Sequence, residues 1–372
     1  MQKHRKDVVM MNRIALQRLR STRIDAPPSL LPFATPADVV AWFGAIQGQD
    51  YPGAKWSLGV RIPGLTDAAV EAAFAAHTLV RTWVMRGTLF FVSAADVRWM
   101  IDLVAPRLMT ETALRYHQLE LDAPTLSHAS TVLAAALADG QSLDRPALFA
   151  VLESAGIGGL EQRGYRLLQR ASLDGLIVQC GVRRNQPVYM AMDARIPPSP
   201  YASREAAAAA LALRYFTSRG PATLQDFLYW SGLLAAEGRA AFHAIEPQLT
   251  HASVEGAVYY WHPHTHSDSP PSPALHLLPG FDELMLGYRD RSPSLAAAYA
   301  NAICPGGNGI FKPTLVNGEG RVIGTWTRTI SKKGVVVRPE PFEGGLSADQ
   351  HDQFLIQAQR YADHLQVPLR TG

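Results

Sequence analysis

Hydrophobic and polar positions alternate along the chain in a way that predicts short helices, each pair of helices being followed by paired strands. A helix is predicted at 35–46, because Thr35 suits its N-cap and Pro36 its first turn. A second helix is expected at 66–77. Residues 79–92 are rich in β-branched and aromatic side chains on both sides of a central glycine, which predicts a hairpin. Residues 93–96 then cap another helix, so the order is helix, helix, strand pair, helix.

The same order recurs twice farther along the chain. The segments are a helix start at 142–145, a helix at 158–173 and a hairpin over 176–192, followed by helices at 203–216 and 221–245 and strands near 249 and 258–261. Short helices closed by a hairpin are typical of a winged helix-turn-helix. The fold class expected is α+β, mainly helical, with tandem winged helix-turn-helix units.

The two ends of the chain differ from these repeats. A short helix at 14–19 follows a basic arm and is expected to end at Pro27-Pro28, while a hairpin within 310–337 turns at 317–320 and a last helix covers 347–364. Proline-rich linkers mark the joints. The predicted division is 1–120 (basic arm and first winged helix), 121–198 (second), 199–266 (third) and 274–372 (β-hairpin and final helix).

Composition narrows the class of protein. A chain of 372 residues exceeds what one core normally serves, and 18% charged residues with 47% hydrophobic residues describe an ordinary globular protein. No apolar run reaches the roughly 18 residues that cross a bilayer, and the N-terminus lacks an export signal. We therefore expect a cytoplasmic protein without membrane contact. Cys180 and Cys304 are interpreted as buried thiols.

Basic residues cluster although the net charge is only +3. One cluster lies in the first 24 residues and a second at 163–184, which favours a polyanion as partner, although a solvated face is the commoner cause of a single cluster. His262, His264 and His266 alternate, but a flexible polar segment explains them better than a metal site. A Gly-rich stretch at 306–309 is read as a turn. No metal or cofactor is expected.

Gln47 and Gln49 place two carboxamides one residue apart, at the end of the helix predicted at 35–46. Such a pair can hold one water, because each amide offers donors and an acceptor, but it cannot act as a strong base. This suits a reaction whose leaving group is already good. The structural alternative is a solvated cap or a buried hydrogen-bonded amide. Asp50 is the nearest carboxylate, and it either assists the reaction or caps the turn before Pro52.

Four segments in this order resemble the bacterial AlkZ/YcaQ-like family of winged-helix proteins. They are 46–50, 80–89, 278–291 (which holds the Leu-Pro-Gly-Phe-Asp-Glu motif) and 322–326. The resemblance spans nearly the whole chain. It implies a C-shaped, DNA-cradling arrangement and a monofunctional DNA glycosylase that removes bulky or crosslinked alkylated purines. It also implies that Gln47 and Gln49 hold the water that attacks C1′. Relatives commonly carry His where this chain has Phe90.

The site expected from these features has a catalytic part, Gln47, Gln49 and Asp50, and a DNA-contacting part. The DNA-contacting candidates are Arg81, Arg86, Arg163, Arg166, Arg170, Arg183 and Arg184. The expected partner is double-stranded DNA carrying damage, with no protein partner evident.

Three functions stay open from the sequence: the glycosylase, a non-catalytic DNA-binding regulator or damage sensor, for which Phe90 is the best support, and a protein-interaction module. Within the 278–291 segment, Asp282 and Arg289 either form a structural ion pair or line the cleft.

Overall fold

The computed structural model describes residues 2–26 and 33–370, with side chains from residue 10 onward. The chain forms two compact units. We call Met1–Val70 together with Ala209–Gly372 the discontinuous unit, and Glu71–Ala208 the central unit. The candidate catalytic residues belong to the discontinuous unit, and all the candidate DNA-contacting arginines belong to the central unit. The four-part division expected from the sequence stays a prediction.

Helices make up most of the regular structure. In chain order they are α1 (Gln2–Ser21), α2 (Pro36–Phe43), α3 (Tyr51–Arg61), α4 (Asp67–Ala75), α5 (Val97–Gln118), α6 (Ala123–Ala136), α7 (Arg145–Ser154), α8 (Leu160–Leu173), α9 (Arg204–Arg219), α10 (Leu224–Ser231), α11 (Ala235–Ile245), α12 (Glu283–Leu286), α13 (Ala300–Ile303) and α14 (Ala348–Leu365). None of the described helices is both long enough and apolar enough to span a membrane.

The strands fall mostly into hairpins. In chain order they are β1 (Ala45–Gln47), β2 (Leu79–Val84), β3 (Thr88–Ser93), β4 (Ser142–Asp144), β5 (Ile177–Arg183), β6 (Gln186–Ala191), β7 (Thr250–Val254), β8 (Ala257–Trp261), β9 (Leu275–Leu278), β10 (Thr314–Asn317), β11 (Val322–Ser331), β12 (Gly334–Pro341) and β13 (Leu369–Arg370).

The central unit is an antiparallel sheet covered by helices. Its strands lie in the order β3-β2-β5-β6-β4, and the hairpins β2–β3 and β5–β6 meet where Arg81 faces Gln179. Strand β4 pairs with β6, so the short strand before α7 closes the edge of the sheet. Trp83 and Trp99 are buried in this unit.

The discontinuous unit holds a second sheet, in the order β13-β12-β11-β10-β9, and a separate hairpin β7–β8. Helix α14 packs on β9, and Trp56, Trp326 and Tyr361 meet edge to face in the core between them. A second group of aromatic side chains forms around Tyr215 and Trp230, next to α10. The unit therefore has two aromatic centres, and the candidate catalytic loop lies on the same unit as both.

Most elements were predicted correctly, with two clear errors. The helix α2 starts as expected, with a capping box between Thr35 and Asp38. It ends at Phe43 rather than Ile46, because Gly44 adopts a φ of 80° that stops the helix, and residues 45–47 form a strand. Helix α1 begins at Gln2 rather than Ile14, so the basic arm is helical. The helix break expected at Pro27-Pro28 lies outside the described residues.

Candidate active site

Gln47 and Gln49 lie at the end of β1 and in the loop that leads to α3. Nε2 of Gln47 donates to Oε1 of Gln49 at 2.8 Å, and the backbone N–H of Gln49 donates to Oε1 of Gln47 at 2.6 Å. Gln47 is 5% exposed, whereas Gln49 is exposed. The two bonds are reciprocal, so they fix the Gln47 side chain relative to Gln49. The predicted pair is therefore brought together, on a strand and loop rather than at a helix end.

The reciprocal bonds leave hydrogen-bonding capacity on Gln47. A carboxamide has two N–H donors and two acceptor positions on its oxygen. The pair uses one donor and one acceptor position of Gln47, and the second of each remains. A group with one donor and one acceptor in a fixed direction can orient a water molecule, although it cannot remove a proton from it.

Asp50 lies directly before α3, at its N-cap position. Its side chain makes no capping hydrogen bond, and its Oδ2 lies against the place that a Cβ on Gly53 would occupy. A carboxylate at a helix N-terminus is favoured by about 0.3–1 kcal/mol through the helix dipole. The side chain thus occupies the position of a cap without making its bond, directly after Gln49 in the chain.

A buried ion pair lies behind the strand that carries Gln47. Oε2 of Glu283 accepts from Arg219 at 2.6 and 3.0 Å and from the indole of Trp230 at 3.1 Å. Oε1 of the same carboxylate accepts the backbone N–H of Gln47 at 3.3 Å. Glu283, Arg219 and Trp230 are fully buried. This contact could not be predicted from the sequence, because nothing local at Gln47 indicates a contact with residues 172 and 236 positions away.

The two arginines of the β2–β3 hairpin lie in different surroundings within the central unit. Nη1 of Arg81 donates to Oε1 of Gln179 on β5 at 3.1 Å, so this side chain ties the two hairpins together. Arg86 lies in the turn between β2 and β3 and is half-buried. Arg81 is therefore at least partly a structural residue.

The arginines of α8 also bond within the protein. Arg163 donates to the carbonyls of Gly158 and Glu120, Arg166 to Gln169, and Arg170 pairs with Asp174 at 2.8 Å. All three remain half-buried rather than exposed. Their charges lie on one helix, as the spacing predicted, but that of Arg170 is already compensated.

Arg183 and Arg184 differ from the others because both are exposed at the tip of the β5–β6 hairpin. Arg184 and Asn185 have φ values of 49° and 60°, so the turn adopts the left-handed conformation typical of tight two-residue hairpins. Within the described residues, neither guanidinium has a hydrogen bond or ion pair. Of the seven arginines, these two are the most available to an external anion.

The comparisons with known proteins decide the family. A family model described as DNA glycosylase AlkZ-like matches residues 40–364, which is most of the chain. The chain belongs to the AlkZ-like DNA glycosylase family. DNA glycosylases hydrolyse N-glycosyl bonds in DNA repair, so family membership confirms the class of enzyme and the DNA substrate that the resemblance implied.

Two relatives agree with this assignment. A protein of Streptomyces sahachiroi named interstrand DNA cross-link repair glycosylase is 24% identical over 325 residues, which cover 82% of this chain and 85% of that protein. The structure of Streptomyces sahachiroi DNA glycosylase AlkZ superposes with a TM-score of 0.77 at 22% identity, over 98% of this chain and 99% of that one. The AlkZ-like fold therefore extends over nearly the whole molecule.

The Leu-Pro-Gly-Phe-Asp-Glu segment of this AlkZ-like chain supplies two buried carboxylates. Asp282 receives two bonds from Arg61, at 2.8 and 3.0 Å, and one from Ser57 at 2.8 Å. Burial opposes ionisation of Asp282, but Arg61 outweighs it and holds the pKa of this carboxyl below its usual range. Of the two alternatives left open for Asp282 and Arg289, the ion pair between them does not form: the side chain of Arg289 is exposed, and its backbone N–H donates to Asp226.

The N-terminal basic cluster is largely structural from Arg13 onward. Arg18 is fully buried, donates to the carbonyls of Pro221 and Asp290, and stacks 3.7 Å from the ring centre of Tyr288. Arg20 donates to three carbonyls of the 267–270 segment. Burial lowers the pKa of Arg23, which stacks on Trp42. These three arginines are committed to the protein and are not a polyanion site.

A basic hairpin in the discontinuous unit was missed from the sequence. Strands β11 and β12 pair along their length from Gly324 and Pro341 to Ser331 and Gly334. Lys332 and Lys333 are exposed at its tip. The signal was present: a polar Ser-Lys-Lys-Gly turn interrupts alternating residues. Only the preceding turn at 317–320 was predicted, and the structure confirms it between β10 and β11.

No group of three or more His, Cys, Asp or Glu residues within 2–26 and 33–370 is placed to hold a metal ion. His262 and His264 stack at 5.0 Å around a short 3-10 turn, and 305–307 forms another such turn. Cys180 is buried as expected, and burial raises the pKa of its thiol, whereas Cys304 is only half-buried.

Proposed function

We propose that this AlkZ-like enzyme hydrolyses the N-glycosidic bond of bulky or crosslinked N7-alkylated purines in damaged double-stranded DNA, with a water held by Gln47 and Gln49. The observation that carries the proposal is the reciprocal bonding of the two side chains, which leaves a donor and an acceptor of Gln47 in a fixed direction. The cytoplasmic location expected from the sequence is part of the proposal, since the DNA lies there.

Loss of an N7-alkylated purine can be catalysed by two carboxamides, although neither is a strong acid or a strong base. Alkylation at N7 puts positive charge on the purine, so the base leaves readily and the sugar develops oxocarbenium character. Little acid or base assistance is then required. Orientation of the attacking water is what the enzyme must supply, and orientation accounts for up to about 7–11 kcal/mol of a barrier in favourable cases.

Asp50 has an electrostatic role in this proposal. Asp50 directly follows Gln49 in the chain, and its carboxylate makes no capping bond. A fixed negative charge near C1′ stabilises the positive charge that the sugar develops as the base leaves. Asp50 therefore complements the glutamines, which carry no charge of their own.

Winged-helix architecture is supported by the order and pairing of the elements. In the central unit α6, β4, α7, α8, β5 and β6 follow one another, and β4 pairs with β6, as the first and third strands of a winged helix do. A similar order occurs in α10, α11, β7 and β8, where Ala222 bridges to Tyr260. In such a unit the last helix before the hairpin meets DNA. That helix is α8, which carries Arg163, Arg166 and Arg170.

The proposed DNA contacts are to phosphate rather than to bases. Arg183 and Arg184 at a hairpin tip, and Lys332 and Lys333 at another, are exposed cations without a built recognition pocket. Such contacts give affinity and position without reading sequence. This suits an enzyme whose target is a lesion, because lesions occur in any sequence context.

The experiment is a base-release assay. The purified protein is incubated with duplexes that carry N7-alkylguanine, a bulky N7 adduct or an interstrand crosslink, and free base and abasic sites are measured. Wild type is expected to release base, while Gln47→Ala and Gln49→Ala lose release and retain DNA binding. Gln141→Ala, which changes an exposed glutamine of the central unit, serves as the control and keeps both. Binding without release by wild type would favour the damage-sensor alternative.

A further inference from the structure

Gln47, whose catalytic role rests on the proposed function, ends the three-residue strand β1. The Arg219–Glu283 ion pair lies against this strand within the discontinuous unit. It bonds to the backbone of Phe43, Ala45 and Gln47 itself, which indicates a role beyond stability.

Arg219 bonds to the backbone just before Gln47. Its Nη1 donates to the carbonyl of Phe43 at 2.9 Å and its Nη2 to the carbonyl of Ala45 at 3.3 Å. The guanidinium also stacks over Trp230 at 4.0 Å and over Phe43 at 4.9 Å. Stacking on two rings and bonding to two carbonyls leave the guanidinium little freedom to move.

Glu283 bonds to the same strand, β1, that Arg219 contacts. The carbonyl of Ala45 and the N–H of Gln47 point to the same side of an extended chain, since backbone groups alternate in direction along a strand. Arg219 donates to the first and Glu283 accepts from the second. The ion pair therefore offers β1 one donor and one acceptor, as the edge of a neighbouring strand does.

Stability alone does not explain a charged pair at this position. Well-packed apolar residues often replace a buried ion pair with no loss of stability, whereas removal of one partner is costly. An apolar pair would also leave the N–H of Gln47 and the carbonyl of Ala45 without partners. The pair is therefore explained by the direction it gives to the backbone, and hence to the Gln47 side chain.

We propose that Glu283 and Arg219 are positioning residues for the glutamine pair, which hold Gln47 at the distance and angle that the attacking water requires. A displacement of about 1 Å at a reacting group costs up to about 100-fold in rate. Neither residue touches the substrate in this account. Their effect is expected on the chemical step and not on DNA affinity.

The test compares two isosteric substitutions at adjacent buried carboxylates. In Glu283→Gln, the amide oxygen faces Arg219, so the amide NH₂ opposes the N–H of Gln47 and displaces β1. Asp282→Asn is the matched control. It weakens an equally buried pair with Arg61, but its oxygen still accepts from Leu284 N, and it has no bond to β1. Single-turnover base release with saturating protein, DNA affinity and the folded fraction are measured for both.

Glu283→Gln is expected to slow release by about 100-fold, with DNA affinity within about twofold of wild type. Asp282→Asn is expected to lose comparable stability but less than about threefold in rate per folded molecule. Equal losses of rate in the two variants, or a wild-type rate in folded Glu283→Gln, would overturn the proposal.

A second measurement does not depend on activity. Hydrogen exchange in a peptide covering 45–49 is expected to be faster in Glu283→Gln than in wild type or Asp282→Asn, because the N–H of Gln47 loses its acceptor. Unchanged exchange would contradict the positioning role even if no substrate were cleaved. Absence of release by wild type, by contrast, would contradict only the proposed function.

If Glu283→Gln does not fold, Trp230→Phe replaces it, since it removes one N–H donor to Glu283 and keeps the aromatic packing. Slower release and faster exchange at 45–49 are again expected. No change in either would overturn the proposal.

Discussion

An amide rather than a carboxylate at position 47 is consistent with the charges around it. The backbone of Gln47 bonds directly to the buried carboxylate of Glu283. A carboxylate in place of the Gln47 amide would bring an additional charge to a buried site in which Arg219 already compensates Glu283. The neutral Gln47 avoids this cost. It thereby gives direction to a water molecule without adding a charge beside the ion pair.

Gly53→Ala tests the position of Asp50. A Cβ at residue 53 would collide with Oδ2 of Asp50, so the carboxylate must rotate away from its place at the first turn of α3. Base release is expected to fall by about tenfold with little change in thermal stability, since the moved atom ends a flexible side chain. Gly345→Ala, where a Cβ meets open space, is the control. A wild-type rate for Gly53→Ala would contradict a role for the Asp50 carboxylate.

At the residue scale, the sequence predicted that Gln47 and Gln49 act together, but it did not predict the buried ion pair that contacts Gln47. Gln47 and Gln49 are separated by one residue, so a short extended segment is enough to bring their amides together. Glu283 meets Gln47 across 236 positions. Neither spacing nor composition indicates such a contact, because it depends on how α9, α10 and α12 pack around Trp230.

The β5–β6 hairpin is one of two hairpins that carry an exposed basic tip and that we propose contact DNA. Its turn residues Arg184 and Asn185 have positive φ, and the two arginines at its tip point away from the sheet's interior as exposed side chains. A hairpin of this kind carries its charge on a stiff support. Little conformational freedom is then lost when phosphate binds.

Arg183→Ala with Arg184→Ala is expected to weaken DNA binding equally for all sequences. Each lost phosphate contact also lowers the slope of log affinity against log salt by about 1. Fluorescence anisotropy at several salt concentrations measures both effects. Arg107→Ala, which removes a cation paired with Glu111 in the same unit, is expected to leave the slope unchanged. An unchanged slope for the double variant would exclude this hairpin from the DNA contact.

Strand β9 contains a histidine that makes stability depend on pH. Burial lowers the pKa of His276 to about 4, with Asp25 opposing the shift and Arg360 adding to it. The unfolded chain binds the proton near pH 6.5 and the folded chain only near 4. Stability from this group is therefore complete above pH 6.5 and falls as the pH drops toward 4, by about 3 kcal/mol in total.

His276→Leu is expected to reduce the loss of stability on acidification when the free energy of unfolding is measured between pH 4 and 7. His351→Leu, at an exposed site on α14, is the comparison and is expected to lose stability on acidification as wild type does. An unchanged loss of stability in His276→Leu would assign the acid sensitivity to other groups.

Hairpins and capped helices could be predicted from the sequence because their signals are local. Thr35 and Asp38 form the capping box, and the turns at 184–185 and 317–320 carry the residues that turns require. The end of α2 was predicted wrongly because the apolar run continues past Gly44 into β1. Hydrophobicity cannot separate a helix from a buried strand over three residues, whereas the φ of Gly44 does.

At the scale of the whole molecule, buried ion pairs join distant parts of the discontinuous unit. Three of them among the described residues are Arg18–Asp226, Arg61–Asp282 and Arg219–Glu283, and each side chain is at most 1% exposed. Their partners lie between 64 and 221 residues apart in the chain. The first two pairs connect Met1–Val70 with Ala209–Gly372 by charge as well as by apolar packing.

These pairings mark the limit of prediction from one sequence. Elements and their order follow from local patterns, and the AlkZ-like family follows from four segments read together. Which arginine meets which carboxylate is set by the packing of helices, and so Arg61 rather than Arg289 turned out to hold Asp282. The basic charge at Arg18 and Arg20 was interpreted as available for the same reason, although it is buried.

The central claim is that Gln47 and Gln49 act together on one water. Two groups that act as a unit are strongly non-additive, because removal of either one already loses the oriented nucleophile. The most direct measurement is a double-mutant cycle on single-turnover release of N7-alkylated purine, with wild type, Gln47→Ala, Gln49→Ala and the double variant, each saturated with protein. We expect the double variant to be no slower than the slower single variant. Losses that multiply, or single variants that release base like wild type, would contradict the claim.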